Sequence, residues 1–349
     1  MFAQNTSSQT TTDKSLSNAL KTISSWELSE LHVHVGAAVA PPILWEMAHM
    51  QGIRLPTKNY WEFVDLITVH DKTDYDTYVT KFFHWTELIQ SSPEAIARSI
   101  HSIIGGAYRV NNITTIELRF NPMLRNRGGE RDLDHIILSS IHAMEQATME
   151  YPVRAGLILM FDRRFTSEQN AIIAQKAIAF AHRGVVGVDI GGPLSNEYRI
   201  EDLTPIFAKC KKAGLKTTFH TGEVTGPDEV WRVLELINPD RIGHGIRSVE
   251  DEKLLQELAK RNITLEVCPS SNLKIQAVKS ISEMKTIFEK LKAFKVPFCI
   301  NTDGPEMLGT HLRREYMFIL EHELLTLEDL KIANETGHRA SFIQGGNHV

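Results

Sequence analysis

The chain is poor in the residues that would indicate disulfide bonding. Only three of its 349 residues are cysteines, and they are far apart, with no CxxC pair: Cys210, Cys268 and Cys299. So few thiols, in an odd number, argue against a disulfide framework and favour a reducing compartment, which we expect to be the cytoplasm.

Long apolar runs and basic blocks are also missing. No apolar stretch is long enough to cross a bilayer, so no membrane contact is expected. The formal net charge is -5, with both signs spread along the chain, and no basic patch interleaved with aromatic residues is present. A nucleic-acid partner is therefore not expected.

The first 25 residues differ from the rest of the chain. They are rich in Ser, Thr, Gln and Asn and contain no apolar segment of the kind found in secretory signals, so we expect a disordered polar tail. Residues 26–345 are predicted to form one domain, because α/β barrels often reach this length as a single unit. The oligomeric state is left open.

Eight short apolar runs, separated mostly by segments of helical periodicity, predict an α/β protein. Continuous apolar runs of this length are typical of parallel strands buried on both faces. The architecture they favour is a (β/α)8 TIM-type barrel. The strand candidates are Glu30–Val35, Thr115–Phe120, Arg154–Phe161, Val185–Ile190, Lys216–His220, Arg241–Gly243, Thr264–Val267 and Phe298–Asn301.

The segment after the first strand candidate is much longer than the other connections. It contains several helical patterns, which predict a helical insertion after strand 1. Such an insertion would lie over the mouth of the barrel, either as a lid lined by Trp61, Phe63, Leu66 and Ile67 or as a plain helical decoration. Periodicity does not separate these two alternatives.

Four polar side chains at strand ends indicate a metal site. His32 and His34 are two residues apart on a strand, so both rings point to the same face, which in a barrel is the interior. His220 ends the fifth strand candidate, and Asp303 follows the last one. Three imidazoles and one carboxylate would leave room for a water, as in catalytic rather than structural zinc sites.

Two further residues suggest acid–base chemistry beside this metal. Glu223 lies three residues after His220, so its carboxyl can be close to the metal without binding it. His244 lies between Gly243 and Gly245, which let a ligand approach closely. His244 could bind the metal or act as a base, and we favour the base because the first coordination shell is already filled.

Seven short motifs, in order, resemble the adenosine deaminase family of the metal-dependent amidohydrolase superfamily. Together they cover about residues 28–320. The absence of lysine from Val185–Gly192 favours the branch with one metal ion, and the chain lacks the Pro-Cys-x-x-Cys motif of the other zinc deaminase fold. The motifs are ELHVH (30–34), IELRFNP (116–122), VVGVDIGG (185–192), HTGE (220–223), RIGHG (241–245), EVCPSSN (266–272) and NTD (301–303).

The resemblance implies a barrel with one zinc ion, although another divalent transition metal is possible. By this resemblance, the metal is bound by His32, His34, His220 and Asp303. Glu223 would transfer a proton to N1 of the purine. His244 would handle the proton of the attacking water, and the backbone N–H of Gly192 would meet N3 of the base. The implied activity is hydrolytic deamination of a 6-aminopurine nucleoside, adenosine or deoxyadenosine.

Two departures from the family pattern concern the substrate. Gly304 replaces a carboxylate that usually contacts N7, and Gly36 replaces an acid that usually reaches the ribose 5′ hydroxyl. Loss of the second acid suggests that a phosphate is tolerated, so an adenine nucleotide, a 5′-modified adenosine or free adenine is an alternative substrate. Glu306 could replace the N7 contact or cap a helix.

Three arginines could pair with a phosphate, although a solvated surface charge is the expected role of each: Arg54, Arg125 and Arg127. Two other kinds of protein also remain open. A nucleoside-binding relative without turnover is one alternative, and an amidohydrolase that acts on a non-purine amide is the other.

Overall fold

A computed structural model of the chain describes residues 16–126, 131–195 and 197–343. In these residues every pair of neighbouring strands is parallel. The strands are β1 (Leu28–His34), β2 (Ile113–Phe120), β3 (Arg154–Asp162), β4 (Val185–Gly191), β5 (Lys216–Thr217), β6 (His220–Thr221), β7 (Arg241–His244), β8 (Thr264–Val267) and β9 (Phe298–Ile300).

Two curved sheets close into one barrel. One sheet has the order β1-β2-β3-β4-β5 and the other β6-β7-β8-β9. β5 and β6 are halves of one irregular strand: Thr217 pairs with Val188 on β4, and His220 pairs with Gly243 on β7. The other seam is closed by a parallel bridge between Val33 and Asp303. The predicted (β/α)8 TIM-type barrel is confirmed.

Helices alternate with the strands and cover the outside of the barrel. Residues 16–24 are helical (α1). The other helices of at least six residues are α2 (Pro41–Met50), α3 (Tyr60–Ile67), α5 (Phe83–Ile89), α6 (Pro93–Asn111), α7 (Leu133–Glu150), α8 (Ser167–Ala179), α9 (Ile200–Lys212), α10 (Pro227–Leu236), α11 (Glu252–Arg261), α12 (Pro269–Lys274), α13 (Ile281–Ala293), α14 (Leu312–Glu321) and α15 (Leu327–Ala340), and a short turn, α4 (Tyr75–Thr77), precedes α5.

The connection between β1 and β2 contains the helices α2 to α6 and one π-helical segment, Tyr78–Phe82. The residues that we expected to line a lid here differ in exposure, and Leu66 is half-buried. Phe63 and Ile67 are buried in the hydrophobic core, and Trp61 is 72% exposed. The apolar periodicity of α3 reflects the packing of one face of this helix against neighbouring helices such as α2. Later in this connection, Tyr75 donates a hydrogen bond to the carbonyl of Gly192, and the Phe83 ring packs edge-to-face on His34.

Part of the predicted disordered tail lies in the described residues. Residues 16–24 form a helix, and Ile23 near its end is fully buried in the core. Residues 1–15, and the last residues of the predicted domain, 344 and 345, lie outside the described part of the chain. Among the described residues, no helix has the length and apolar character needed to cross a bilayer.

A candidate metal centre at the mouth of the barrel

The four residues predicted to bind a metal meet at one end of the barrel. His34 Nε2 is 3.3 Å from Asp303 Oδ1 and 3.2 Å from His220 Nε2. His32 Nε2 is 3.8 Å from the same Asp303 oxygen. These side chains come from β1, β6 and the segment after β9, so the barrel brings together residues up to 271 positions apart in the chain.

The unsatisfied atoms of this cluster fit a cation. His32 is fully buried, and its Nε2 has no hydrogen-bond partner in the described residues. The Nε2 atoms of His34 and His220 face each other, and a cation bound by both would stabilise this arrangement. Potential ligand atoms of His32, His34 and Asp303 all lie within 4.8 Å of one another. A donor set of three imidazoles and one carboxylate is suited to zinc.

Two buried carboxylates orient the imidazoles from behind. Glu266 Oε2 accepts a hydrogen bond from His32 Nδ1 at 2.7 Å, and Asp189 Oδ2 is 2.9 Å from His220 Nδ1. Protonation of Nδ1 leaves the lone pair of Nε2 directed at the metal position, which is the usual arrangement behind metal-binding histidines. Arg119 donates to both carboxylates, at 2.8 Å each, and keeps them ionised.

A second buried arginine extends this ionic network. Arg241 contacts Glu117 and donates from Nε to Glu266 Oε1 at 2.7 Å. The arginine is 1% exposed. Sequence reasoning assigned no role to these residues, although charged side chains inside otherwise apolar strands were a usable signal. Pairing with an opposite charge reduces the free-energy cost of burying an ionised side chain.

His244 and Glu223 form the acid–base part of the site. Glu223 Oε1 is 3.4 Å from His244 Nε2, and Asn272 Nδ2 is 3.0 Å from His244 Nδ1. Glu223, His244 and Asp303 again have potential ligand atoms within 4.8 Å of one another. His244 and Asp303 have φ values of 60° and 63°, a left-handed conformation that is unfavourable for these residues and is often found at functional sites.

Burial sets the protonation states in this site. It raises the pKa of Glu223 well above its usual value, and the Asp303 carboxylate raises it further. Burial also lowers the pKa of His32, His34 and His244 well below the usual value, assisted by neighbouring cations such as Arg119. Neutral imidazoles are the form that binds metals or accepts protons, and a protonated Glu223 is a proton donor.

Gly192 follows β4 and has a φ of 88°, a conformation that favours glycine. Its carbonyl accepts hydrogen bonds from Tyr75 Oη at 3.1 Å and from Arg163 Nη1 at 3.0 Å. Arg163 also donates to the carbonyl of His220, so it ties Gly192 to the strand that carries the metal ligand. Sequence reasoning missed both side chains because neither belongs to a short motif.

Other side chains occupy the space around the two glycines that depart from the family pattern. A Cβ on Gly36 would lie 3.0 Å from the Phe83 ring and 3.1 Å from Arg125 Nη2. A Cβ on Gly304 would lie 2.8 Å from the Tyr78 hydroxyl. Phe83, Arg125 and Tyr78 therefore occupy space that a longer side chain at position 36 or 304 would need.

The expectation of a surface charge at Arg125 is corrected by its burial. Arg125 is 2% exposed and donates to the carbonyl of Glu87, because the short helix that starts at Pro122 turns it towards the barrel mouth. Arg54 is exposed, as expected, and Arg127 lies outside the described residues. Glu306 is also exposed.

Comparison with known proteins identifies a family that matches most of the chain. The model of a family described as adenosine deaminase matches residues 28–348. An adenine deaminase of Wolinella succinogenes is 27% identical over 323 residues, covering 90% of this chain and 92% of the relative. An adenosine deaminase of Clostridium kluyveri is 28% identical over 315 residues, covering 90% of this chain and 89% of the relative.

Two solved structures share the fold. An amidohydrolase from Burkholderia ambifaria with bound zinc superposes with a TM-score of 0.83 at 20% identity, covering 93% of this chain and 88% of that one. An Arabidopsis N6-mAMP deaminase superposes with a TM-score of 0.81 at 22% identity, covering 93% and 96%.

Proposed function

The chain belongs to the adenosine deaminase family, and from that premise we propose that it catalyses zinc-dependent hydrolytic deamination of a 6-aminopurine nucleoside. The products from adenosine or deoxyadenosine would be inosine or deoxyinosine and ammonia. The observation that carries the proposal is the buried cluster in which Glu223 and His244 lie beside four potential metal ligands. An acid, a base and a metal position within one buried cluster are the parts that hydrolysis of an aromatic C–NH2 bond requires.

His32, His34, His220 and Asp303 would hold the zinc ion. When bound, zinc would lower the pKa of a water to about 7 and so supply a nucleophile at neutral pH. Glu266 and Asp189 would keep two of the imidazoles in the correct tautomer.

Glu223 would hold a proton at the position of N1. Attack of water at C6 breaks the aromatic system and places negative charge on N1, which the protonated carboxyl neutralises. The raised pKa of Glu223, caused by burial and by Asp303, provides this proton near neutral pH. The water oxygen forms a bond to C6, the bond from C6 to the amino nitrogen then breaks, and ammonia leaves with the transferred protons.

His244 would take the proton released by the attacking water. Burial keeps its imidazole neutral, and the left-handed backbone directs the ring into the cavity. Gly192 would orient the base through its backbone N–H at N3. Tyr75 and Arg163 hold the carbonyl of Gly192 and thereby position this contact.

A nucleotide is the second candidate substrate. Arg125 Nη2 lies close to Gly36, where the resemblance predicts the 5′ end of the substrate. A buried guanidinium in place of an acid is suited to a phosphate. The structural neighbour from Arabidopsis is named for a nucleotide substrate, N6-mAMP, whereas the relative from Wolinella is named for adenine.

The decisive experiment compares kcat/KM of zinc-loaded enzyme for adenosine, deoxyadenosine, adenylate and adenine, with ammonia release as the readout. Turnover of a 6-aminopurine supports the proposal, and the preferred compound identifies the substrate. A strong preference for unmodified adenosine would exclude the nucleotide alternative. Binding of these compounds without ammonia release would instead indicate a non-catalytic relative, and turnover of non-purine amides alone would indicate a different amidohydrolase.

A further inference from the structure

Tyr78 is a buried residue whose hydroxyl lies at the edge of the metal cluster. Its side chain is 3% exposed, and its ring packs edge-to-face on Phe83, with 5.4 Å between the ring centroids. The hydroxyl lies 2.8 Å from the position that a Cβ on Gly304 would take. The phenol therefore fills space that a longer side chain next to Asp303 would need.

No hydrogen bond of good geometry joins the Tyr78 hydroxyl to another group in the described part of the chain, although the hydroxyl lies close enough to the Asp303 carboxylate to lower its pKa. The carboxylate of Asp303 has stronger partners than Tyr78: its Oδ2 accepts from Ser271 Oγ at 2.5 Å, and its Oδ1 faces His34 and His32. A buried hydroxyl without a good hydrogen-bond partner has an energetic cost. That cost is recovered if a bound molecule provides an acceptor.

We propose that the Tyr78 hydroxyl donates a hydrogen bond to N7 of the purine and so determines which ring systems the enzyme accepts. The inference rests on the proposed function. In a 6-aminopurine the reacting carbon C6 lies between N1 and the C5–N7 edge. Glu223 is proposed for the N1 side, and the Tyr78 hydroxyl fills the space beside Gly304, where the resemblance implies the contact with N7. The lone pair of N7 is a hydrogen-bond acceptor.

A phenol suits this position better than the alternative that the sequence suggested. A phenol is neutral near neutral pH, so its hydroxyl can donate a hydrogen bond without first binding a proton. Glu306 is exposed, and as a carboxylate it would need a proton before it could donate to N7.

The position of Tyr78 in the chain links recognition to the connection between β1 and β2. Tyr78 begins the π-helical segment Tyr78–Phe82, and such segments occur frequently at functional sites. Tyr75, one turn earlier, holds the carbonyl of Gly192. The proposed N7 donor is thus carried by a helical connection over the barrel, whereas the predicted metal ligands belong to the strand ends.

The test is a double-mutant cycle in which one change is made in the protein and the other in the substrate. Wild type and Tyr78→Phe, both loaded with zinc, are assayed with the preferred 6-aminopurine and with its 7-deaza analogue, in which a C–H replaces N7. We expect loss of N7 to lower kcat/KM of the wild type about tenfold and to have little effect in Tyr78→Phe. The inhibition constant of the 7-deaza analogue, measured for wild type and for Tyr78→Phe, provides the same comparison without turnover.

Tyr316→Phe is the matched control. Tyr316 is another fully buried tyrosine whose hydroxyl has no partner among the described residues, but it lies on α14 and packs against Trp26. Replacement of N7 by C–H should therefore lower kcat/KM of Tyr316→Phe as much as it lowers kcat/KM of the wild type. An equal N7 penalty in wild type and Tyr78→Phe, or loss of zinc from Tyr78→Phe, would overturn the assignment. Failure of the wild type to deaminate any 6-aminopurine would instead refute the proposed function, and this inference with it.

Discussion

His32 on β1 and Glu266 on β8 are joined by a 2.7 Å contact between Nδ1 and Oε2, although 234 positions separate them in the chain. Both residues are completely buried. The carboxylate holds the proton on Nδ1 and leaves Nε2 free for a cation. The same carboxylate neutralises Arg119 and Arg241, so one side chain supports both the site and the barrel interior.

Glu266→Gln is expected to weaken zinc binding about 10- to 100-fold while all four predicted ligands remain. The neutral amide orients His32 less strongly and makes its ring less basic. Competition with a chromogenic chelator measures the change. Glu283→Gln, which alters a peripheral contact with Arg247, is the control and should bind zinc as the wild type does. Unchanged affinity in Glu266→Gln would show that the contact is only structural.

Glu223→Gln should reduce kcat about a hundredfold to ten-thousandfold, because the amide has the same shape but no proton to transfer to the substrate. Ammonia release measures the loss. Metal analysis and a thermal unfolding curve should match the wild type, since Glu223 is not among the four predicted ligands. Glu235→Gln, on the exposed face of α10, controls for the loss of one carboxylate. Full activity in Glu223→Gln would exclude the proposed proton donor.

Removal of the metal should abolish ammonia release and lower the thermal midpoint, because an ion that binds only the folded state stabilises it by mass action, about 2.7 kcal/mol at a hundredfold excess over Kd. Dialysis against a chelator followed by addition of zinc should restore both properties. His220→Ala should show little response to zinc. If the chelated wild type kept its activity, the metal assignment would be wrong.

Two substitutions at Gly36 distinguish the effect of side-chain size from the effect of negative charge. Gly36→Ala places a methyl group 3.0 Å from the Phe83 ring, so we expect a stability loss of about 1–3 kcal/mol and similar effects on nucleosides and nucleotides. Gly36→Asp adds a negative charge near Arg125 and should lower the ratio of nucleotide to nucleoside kcat/KM about tenfold further. Equal ratios in the two variants would place the substrate phosphate elsewhere.

Arg241→Met should destabilise the protein by about 3–5 kcal/mol, because it leaves the buried Glu117 and Glu266 short of a counter-charge. Chemical denaturation of the metal-free protein measures the loss without a contribution from zinc binding. Arg232→Met removes an exposed pair with Glu201 and should leave the denaturation midpoint unchanged. If Arg241→Met lost as little stability as Arg232→Met, the ion pairs of Arg241 would not be stabilising the fold.

The sequence allowed prediction of the barrel and of the residues that meet at its mouth. Parallel strands end at the same side of the barrel, so polar residues that follow apolar runs, such as His220 and Asp303, were expected to converge. The predicted strands agree with the observed ones to within a few residues. The fifth is the exception, since its backbone changes partner from β4 to β7 and splits into β5 and β6.

The tertiary structure alone decided which groups surround the predicted ligands. No short motif relates Glu266 to His32, Tyr78 to Gly304 or Arg125 to Gly36, because each pair is brought together by barrel closure or by the long connection after β1. The two-residue period of a strand specifies which side chains share a face, as for His32 and His34. It does not specify their neighbours there, since those contacts form between segments that are distant in sequence and depend on how the connections pack over the strands.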